Sequence, residues 1–205
     1  MMSKKTITLL AIFGIPLLTA LTFTGYLFYT TFKKEKSTLS VLGTVPEFSF
    51  TTEDSLPYSR NDLLGKVTIV DFIFTQCAGA CPVMSTKMAE LQQEVLNNHL
   101  IQFLSISVDP ETDTPEVLST YARGYGAIKG KWTFLIGDKS EIYKLTREGF
   151  HLGLDIEGED AIIHSQKFVL VDQHGMIRRY YDSEHDDEMK NLLREARLLT
   201  KEIGS

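Results

Sequence analysis

The most constraining feature of this sequence is a run of apolar, mostly β-branched residues, Val67–Phe74, that leads into a helical pattern. Such a run predicts a buried strand. The segment that follows, Pro82–Asn98, places apolar side chains at helical spacing and predicts an amphipathic helix. The residues expected on its apolar face are Met84, Met88, Leu91 and Val95.

The remainder of the C-terminal part alternates strand and helix patterns. A helix is predicted to begin at Thr114-Pro115, because threonine is a good N-cap and proline fits the first turn. Two strand patterns, Lys167–Val171 and Met176–Tyr181, flank a glycine-containing hairpin turn. Strand–helix alternation that ends in a hairpin and a helix is typical of the thioredoxin-like α/β fold, a mixed central sheet flanked by helices. The other predicted elements are strands 47–51, 100–108 and 131–136 and helices 114–124, 139–149 and 188–203.

The chain has only two cysteines, Cys77 and Cys81, and both fall between the first buried strand and its helix. A helix N-terminus lowers the pKa of a nearby thiol and favours the thiolate, which is the nucleophile and the metal ligand. Three residues separate these cysteines, whereas the common redox motif has two. The pattern therefore leaves two chemistries open, disulfide exchange and binding of a soft metal ion.

The positions of the prolines argue against general disulfide catalysis. Thioredoxin-type oxidoreductases hold a cis-proline opposite the dithiol, just before the hairpin, but this chain has no proline after Pro115. His164 stands at the corresponding place, shortly before Lys167. We therefore expect the imidazole of His164 to face the two thiols.

Two thiolates and one imidazole form a soft, three-coordinate ligand set. Such a set suits copper, and Cu(I) accepts so few ligands readily. Zinc usually takes a fourth ligand or keeps an open catalytic position, and nothing in the positions of His151 or His174 favours either as that ligand. We expect surface positions for His99, His174 and His185 and core positions for Met84 and Met88.

The N-terminal segment Thr6–Phe32 contains no charged side chain. As a helix it would span roughly 40 Å, enough to cross the ~30 Å hydrocarbon core of a bilayer. A cleaved signal peptide would have a shorter apolar region and a small-x-small site, and no such site is clear. The sequence thus predicts a membrane anchor, residues 1–36, followed by one domain, residues 37–205. The lysines on its two sides are nearly balanced, but the short basic N-terminus resembles a signal anchor that leaves the domain outside the cytoplasm.

The charge of the two parts differs in sign. Residues 1–36 hold five lysines and one glutamate, so the following 169 residues hold 16 of the 21 basic and 26 of the 27 acidic side chains, a net charge of −10. A domain this acidic is not expected to bind nucleic acid, because the phosphate backbone would repel it.

The sequence resembles the Sco/SenC family of copper proteins, which assemble the dinuclear copper centre of cytochrome c oxidase. The resemblance covers nearly all of residues 42–203, and the preceding anchor also fits the family. Ala78, Ala161 and Gln173 depart from residues that are frequent in the family, and none of these departures removes a ligand. The matching segments are Asp71–Cys77 with Cys81-Pro82, Ser107–Glu111 with Asp113–Glu116, Ile163–Ser165 and Phe168–Asp172.

This resemblance implies that Cys77, Cys81 and His164 bind copper, as Cu(I), Cu(II) or both, on a thioredoxin-like domain at the outer side of the cytoplasmic membrane. It implies delivery of copper to the copper-bearing subunit of cytochrome c oxidase, with other copper chaperones or thioredoxin-like reductants as further partners. On this interpretation the protein is not an enzyme, and oxidation of Cys77 and Cys81 to a disulfide releases the metal.

Two other functions stay open. A dedicated thiol-disulfide reductase would keep the copper-site cysteines of the oxidase reduced, and the missing cis-proline does not exclude a single partner. A peroxiredoxin-like peroxidase is the weaker alternative, because Thr75 lies only two residues before Cys77 and does not match the peroxidatic pattern.

Overall fold

A computed structural model of the protein describes residues 15–32, 39–152 and 166–203. The chain divides into two compact units, Met1–Glu35 and Lys36–Ser205. In the first unit, helix α1 covers Ile15–Phe32, within the uncharged segment. Among the described residues, no helix is both long enough and apolar enough to span a bilayer. Part of the predicted membrane-spanning segment lies outside the described residues, and the anchor stays a prediction.

The second unit is built on one eight-stranded mixed sheet. The strand order is β1-β8-β7-β4-β5-β6-β2-β3. Strands β4, β5 and β6 are mutually parallel, and the other neighbouring pairs are antiparallel. The predicted mixed α/β architecture is therefore confirmed. The strands are β1 (Gly43–Thr44), β2 (Ser49–Thr52), β3 (Pro57–Ser59), β4 (Val67–Ile73), β5 (Ile101–Ser107), β6 (Trp132–Ile136), β7 (Lys167–Val171) and β8 (Met176–Asp182).

Helices connect and flank these strands. Helix α2 begins at Ala80, two residues before the predicted start at Pro82. A proline is tolerated in the first turn because the amide it lacks would have no intrahelical partner there. Cys81 therefore belongs to the first turn of α2 and not to the preceding loop. The helices are α2 (Ala80–Glu94), α3 (Pro115–Gly124), α4 (Lys139–Lys144) continued by a π-helical turn (Leu145–Gly149), α5 (Asp186–Thr200) and a 3-10 helix (Arg60–Leu63).

The core surrounds strand β4, in which all seven residues are buried. Helix α5 packs against β4 and β5. Complete burial of a large apolar side chain contributes about 1.5–3 kcal/mol, so this core holds the end of β4 firmly. The predicted apolar face of α2 is confirmed by four buried side chains, Met84, Met88, Leu91 and Val95.

A buried lysine closes the C-terminal end of helix α2. The ammonium of Lys131 donates to the backbone oxygens of Val95, Asn98 and Ile101 at 2.9, 2.6 and 2.7 Å. Val95 is the C-cap of the helix, Asn98 lies in the following turn and Ile101 begins β5, so Lys131 ties the end of α2 to the sheet. Burial, together with the charge of Lys66, lowers the pKa of Lys131 to about 8, so the side chain is still an ammonium at pH 7.

The pairing of β4 with β7 fixes which end of the sheet each strand reaches. The two strands are antiparallel, with Thr68 opposite Val171 and Val70 opposite Val169. Strand β7 therefore begins at the edge of the sheet where β4 ends, which is the edge that carries the loop to helix α2.

Candidate metal centre

The two thiols lie at the junction between strand β4 and helix α2. Cys77 is on the connecting loop, where its amide donates to the carbonyl of Phe74 at 3.2 Å. Cys81 is in the first helical turn. Both are free thiols, with only 9% and 6% of their surface exposed. The predicted placement of a dithiol at a helix start is confirmed.

The environment of Cys77 favours its thiolate. Burial alone raises the pKa of this thiol, but hydrogen bonds from the backbone amide and the thiol of Cys81 and from the amides of Gly79 and Ala80 outweigh burial. The pKa of Cys77 consequently lies below its ordinary value. The free amides at the start of α2 thus act on a sulfur, as expected for a helix N-terminus.

Cys81 has the opposite tendency. Burial is the main cause that raises its pKa, to about 12, and the hydrogen bond and charge of Cys77 and the charge of Asp71 act in the same direction. The thiolate is therefore favoured at Cys77 over Cys81. This asymmetry is suited to stepwise chemistry in which Cys77 acts first, either on a metal ion or on a disulfide.

A buried carboxylate lies close enough to act on Cys81. Asp71 is fully buried in β4. Its Oδ1 accepts a 2.6 Å hydrogen bond from Ser105, whose hydroxyl accepts from the indole of Trp132. Its Oδ2 has no hydrogen-bond partner among the described residues. Burial raises the pKa of Asp71 to about 7. Asp71 has no role among the residues predicted from the sequence, although a lone carboxylate inside an apolar strand pattern is a signal for one.

A second buried carboxylate, Asp113, holds the start of the dithiol loop. It accepts hydrogen bonds from the amide and hydroxyl of Thr75 and from the hydroxyl of Ser107. In the sequence, Asp113 stands out only as part of the matching segment Asp113–Glu116. Its neighbour Thr114 was predicted to cap helix α3, which is confirmed because its hydroxyl accepts from the amide of Val117.

The predicted third ligand, His164, lies outside the described residues. The described chain resumes at Gln166, whose carbonyl accepts from the amide of Ser183 at 2.8 Å. The next residue, Lys167, forms an ion pair with Asp182. Within the described part of the chain, no cluster of three or more His, Cys, Asp or Glu side chains is arranged to hold a metal ion. The assignment of His164 as a ligand stays a prediction.

The remaining candidate ligands are placed as expected. Met84 and Met88 are 1% and 0% exposed and belong to the core. The predicted surface histidines, His99, His174 and His185, are exposed, and so is His151.

Comparison with known proteins gives one consistent result. The chain matches the family model described as SCO1/SenC over residues 37–197. It is 36% identical over 141 residues to the SCO1 protein homolog of Bacillus subtilis, an alignment that covers 67% of this chain and 73% of the relative.

Two solved structures share the fold. One is BsSco, a member of the Sco family of cytochrome c oxidase assembly proteins in which a disulfide switch was identified. It matches with a TM-score of 0.65 and 31% identity, over 78% of this chain and 98% of that chain. The other is Arabidopsis thaliana ScoI with copper bound, with a TM-score of 0.63 and 25% identity, over 76% and 99% of the two chains.

Proposed function

Because the chain belongs to the SCO1/SenC family, we propose that it is a membrane-anchored copper-binding protein that delivers copper to cytochrome c oxidase. Cys77, Cys81 and His164 hold the metal, and the copper-bearing subunit of the oxidase is the acceptor. Other copper chaperones or thioredoxin-like reductants supply the metal or the electrons. The observation that carries this proposal is a buried dithiol at the start of helix α2, with one thiol biased toward the thiolate.

The topology supports the inclusion of His164 in the ligand set. Strand β4 ends at the dithiol loop, and β7 begins at the same edge of the sheet. His164 precedes Lys167, the first residue of β7, by three positions in the sequence. This sequence position supports the proposal that His164 joins Cys77 and Cys81 in the ligand set.

The ligand chemistry favours copper over harder ions. Thiolates and imidazole are soft donors, and a three-ligand set satisfies Cu(I) and leaves room for an incoming ligand from an acceptor. The related ScoI structure from Arabidopsis thaliana contains copper. Transfer then proceeds by stepwise exchange of thiolate and imidazole ligands and needs no covalent catalysis.

The redox state of the dithiol controls metal binding on this proposal. When the two thiols form a disulfide they give up two protons and two electrons to an oxidant, and the sulfurs cease to be thiolate ligands. Cys77 and Cys81 are close enough to share a hydrogen bond in the reduced state. The disulfide switch identified in BsSco supports the same coupling here.

The test is metal analysis of the reduced full-length protein, purified anaerobically in mild detergent and offered copper. We expect one copper per chain and a sulfur-to-copper charge-transfer band with Cu(II). Cys77→Ser and Cys81→Ser should each abolish the band, because the remaining ligands are too few and too hard. If both variants kept the copper stoichiometry and the spectrum of the unsubstituted protein, the assignment of the site would be overturned.

A second function, a thiol-disulfide reductase for the oxidase cysteines, is favoured by one observation. The lowered pKa of Cys77 beside the raised pKa of Cys81 is the asymmetry of a nucleophilic thiol and its resolving partner. His164→Ala separates the two functions in cells at limiting copper. A carrier should lose oxidase activity about as completely as Cys77→Ser does, whereas a reductase should keep it.

We also propose that residues 1–36 anchor the domain at the outer side of the cytoplasmic membrane in a single pass. The uncharged segment Thr6–Phe32 supports this placement. The full-length protein should stay with membranes through alkaline carbonate extraction, and removal of residues 1–36 should release a folded domain. Recovery of a chain shortened near residue 30 in the soluble fraction would indicate a cleaved signal instead.

A further inference from the structure

Asp113 links two segments that meet beside the dithiol. Its Oδ2 lies 3.1 Å from the amide nitrogen of Thr75, and its Oδ1 lies 2.5 Å from the Thr75 hydroxyl. The hydroxyl of Ser107, at the end of β5, donates to Oδ2 at 2.5 Å. The side chain is fully buried, so these bonds are shielded from water.

The Thr75 amide can only donate and therefore requires an acceptor, and the hydroxyls of Thr75 and Ser107 donate to the same carboxylate. A carboxylate has no donor of its own, and three donors converge on its two oxygens. Hydrogen bonds to an ionised carboxylate are about twice as strong as neutral ones. An asparagine of the same shape has no charge and replaces one acceptor oxygen by an NH₂ group, so Asp113→Asn weakens the hold on Thr75 without changing the volume.

The backbone of Asp113 is also held in place. The amide of Asp113 donates to the carbonyl of Asp109 at 2.9 Å, and the next residue, Thr114, caps helix α3. Asp113 is thus part of a rigid connection between β5 and α3, and Thr75 is tied to that connection.

Thr75 stands two residues before Cys77. Between them the chain turns so that the amide of Cys77 donates to the carbonyl of Phe74. The sulfur of Cys77 accepts from the backbone amides of Gly79, Ala80 and Cys81, and this turn sets where the sulfur lies relative to them. A shift at Thr75 would therefore move the sulfur away from the start of α2.

We propose that Asp113 is a positioning residue for the dithiol, which holds Thr75 and thereby places the sulfur of Cys77 at the amides of helix α2. The inference rests on the proposed copper function for its biological meaning. It concerns the metal-free protein, however, so it can be tested without copper.

The experiment measures the pH dependence of alkylation of Cys77 by iodoacetamide in the full-length, reduced, metal-free protein. A Cys81→Ser background leaves Cys77 as the one reactive thiol. Asp113→Asn should raise the midpoint of the profile by about one pH unit, a tenfold loss of thiolate below the midpoint. Thr75→Val, which keeps the amide but loses the hydroxyl, should give a smaller rise, and Thr75→Ser should restore the original midpoint.

A control separates positioning from general loss of stability. Lys131→Met removes a buried polar side chain at the other end of α2, and it should lower stability without moving the midpoint. An unmoved midpoint in folded Asp113→Asn, or an equal shift in Lys131→Met, would overturn the inference. If Asp113→Asn does not fold, Thr75→Val decides, and an unmoved midpoint there also overturns it.

The copper spectrum distinguishes failure of this inference from failure of the proposed function. Absence of a charge-transfer band in the unsubstituted protein would count against copper binding and would not alter the alkylation result. A normal band together with an unmoved midpoint would count against Asp113 alone.

Discussion

At the C-terminal end of helix α2, the buried ammonium of Lys131 binds the carbonyl of the C-cap residue Val95, and it also binds those of Asn98 in the following turn and Ile101 in β5. At its N-terminal end, no side chain among the described residues caps the helix, and free amides face the sulfur of Cys77. Both ends of a helix leave backbone groups without partners. At the C-terminal end a buried ammonium binds the C-cap carbonyl. At the N-terminal end the backbone amides favour the thiolate of Cys77.

The buried ionisable side chains near the two ends of α2 also differ in how completely they are hydrogen-bonded. Lys131 donates to three backbone acceptors. Asp71, near the thiols, has one described donor and one oxygen without a partner. A buried polar group without a partner reduces stability. The comparison therefore indicates that the dithiol end carries a cost in folding free energy that the Lys131 end does not.

The largest expected effect comes from Asp71→Asn. The folded-state pKa of Asp71 is raised to about 7, whereas an unfolded aspartate titrates near 3.9. Between these two pH values Asp71 stays protonated in the folded state but loses its proton in the unfolded state. The stability that the protonated side chain contributes below about pH 4 is therefore lost as the pH rises to about 7. The free energy of unfolding of the metal-free reduced domain should fall by up to about 4 kcal/mol over that window through this group.

The measurement is the difference in unfolding free energy between Asp71→Asn and the parent at each pH, taken from urea titrations. The difference should grow with pH and favour the variant at pH 7. The surface substitution Glu184→Gln should show no such trend. A difference that is constant from pH 4 to 7 would mean that Asp71 does not titrate in this window.

Lys131→Met tests the other end and should have the next largest effect. Loss of the ammonium removes its hydrogen bonds to three backbone carbonyls, two of which, Val95 and Asn98, keep an amide donor. The substitution should lower the free energy of unfolding by about 2 kcal/mol at pH 7. The exposed Lys144→Met is the matched control and should change stability little. If Lys131→Met were neutral in urea titrations, the proposed closure of this helix end would be wrong.

The two regions also differ in how much of them the sequence predicts. The apolar face of α2 and the buried run of β4 have strong periodicity, and both were predicted correctly. Strands β1 and β3 were missed because they are only two and three residues long. They exist through pairing with β8 and β2, which no local pattern encodes.

At the site itself, the sequence predicted the dithiol and its place at a helix start. It did not predict that Cys81 lies inside the first turn, because Pro82 was taken as the first helical residue. The contacts of Asp71 with Ser105 and of Asp113 with Thr75 join residues 34 and 38 positions apart in the sequence. Such contacts depend on the register of β4 against β5 and on the β5–α3 connection, so single-sequence patterns cannot supply them.

The most direct test of the copper site is the copper affinity of full-length His164→Ala, measured by competition with a chelator under reducing, anaerobic conditions. Loss of one of three ligands should weaken binding by at least about 10²-fold, or about 2.7 kcal/mol. The exposed His174→Ala is the control and should bind like the unsubstituted protein. If His164→Ala kept the parental affinity, the three-ligand copper site would be contradicted.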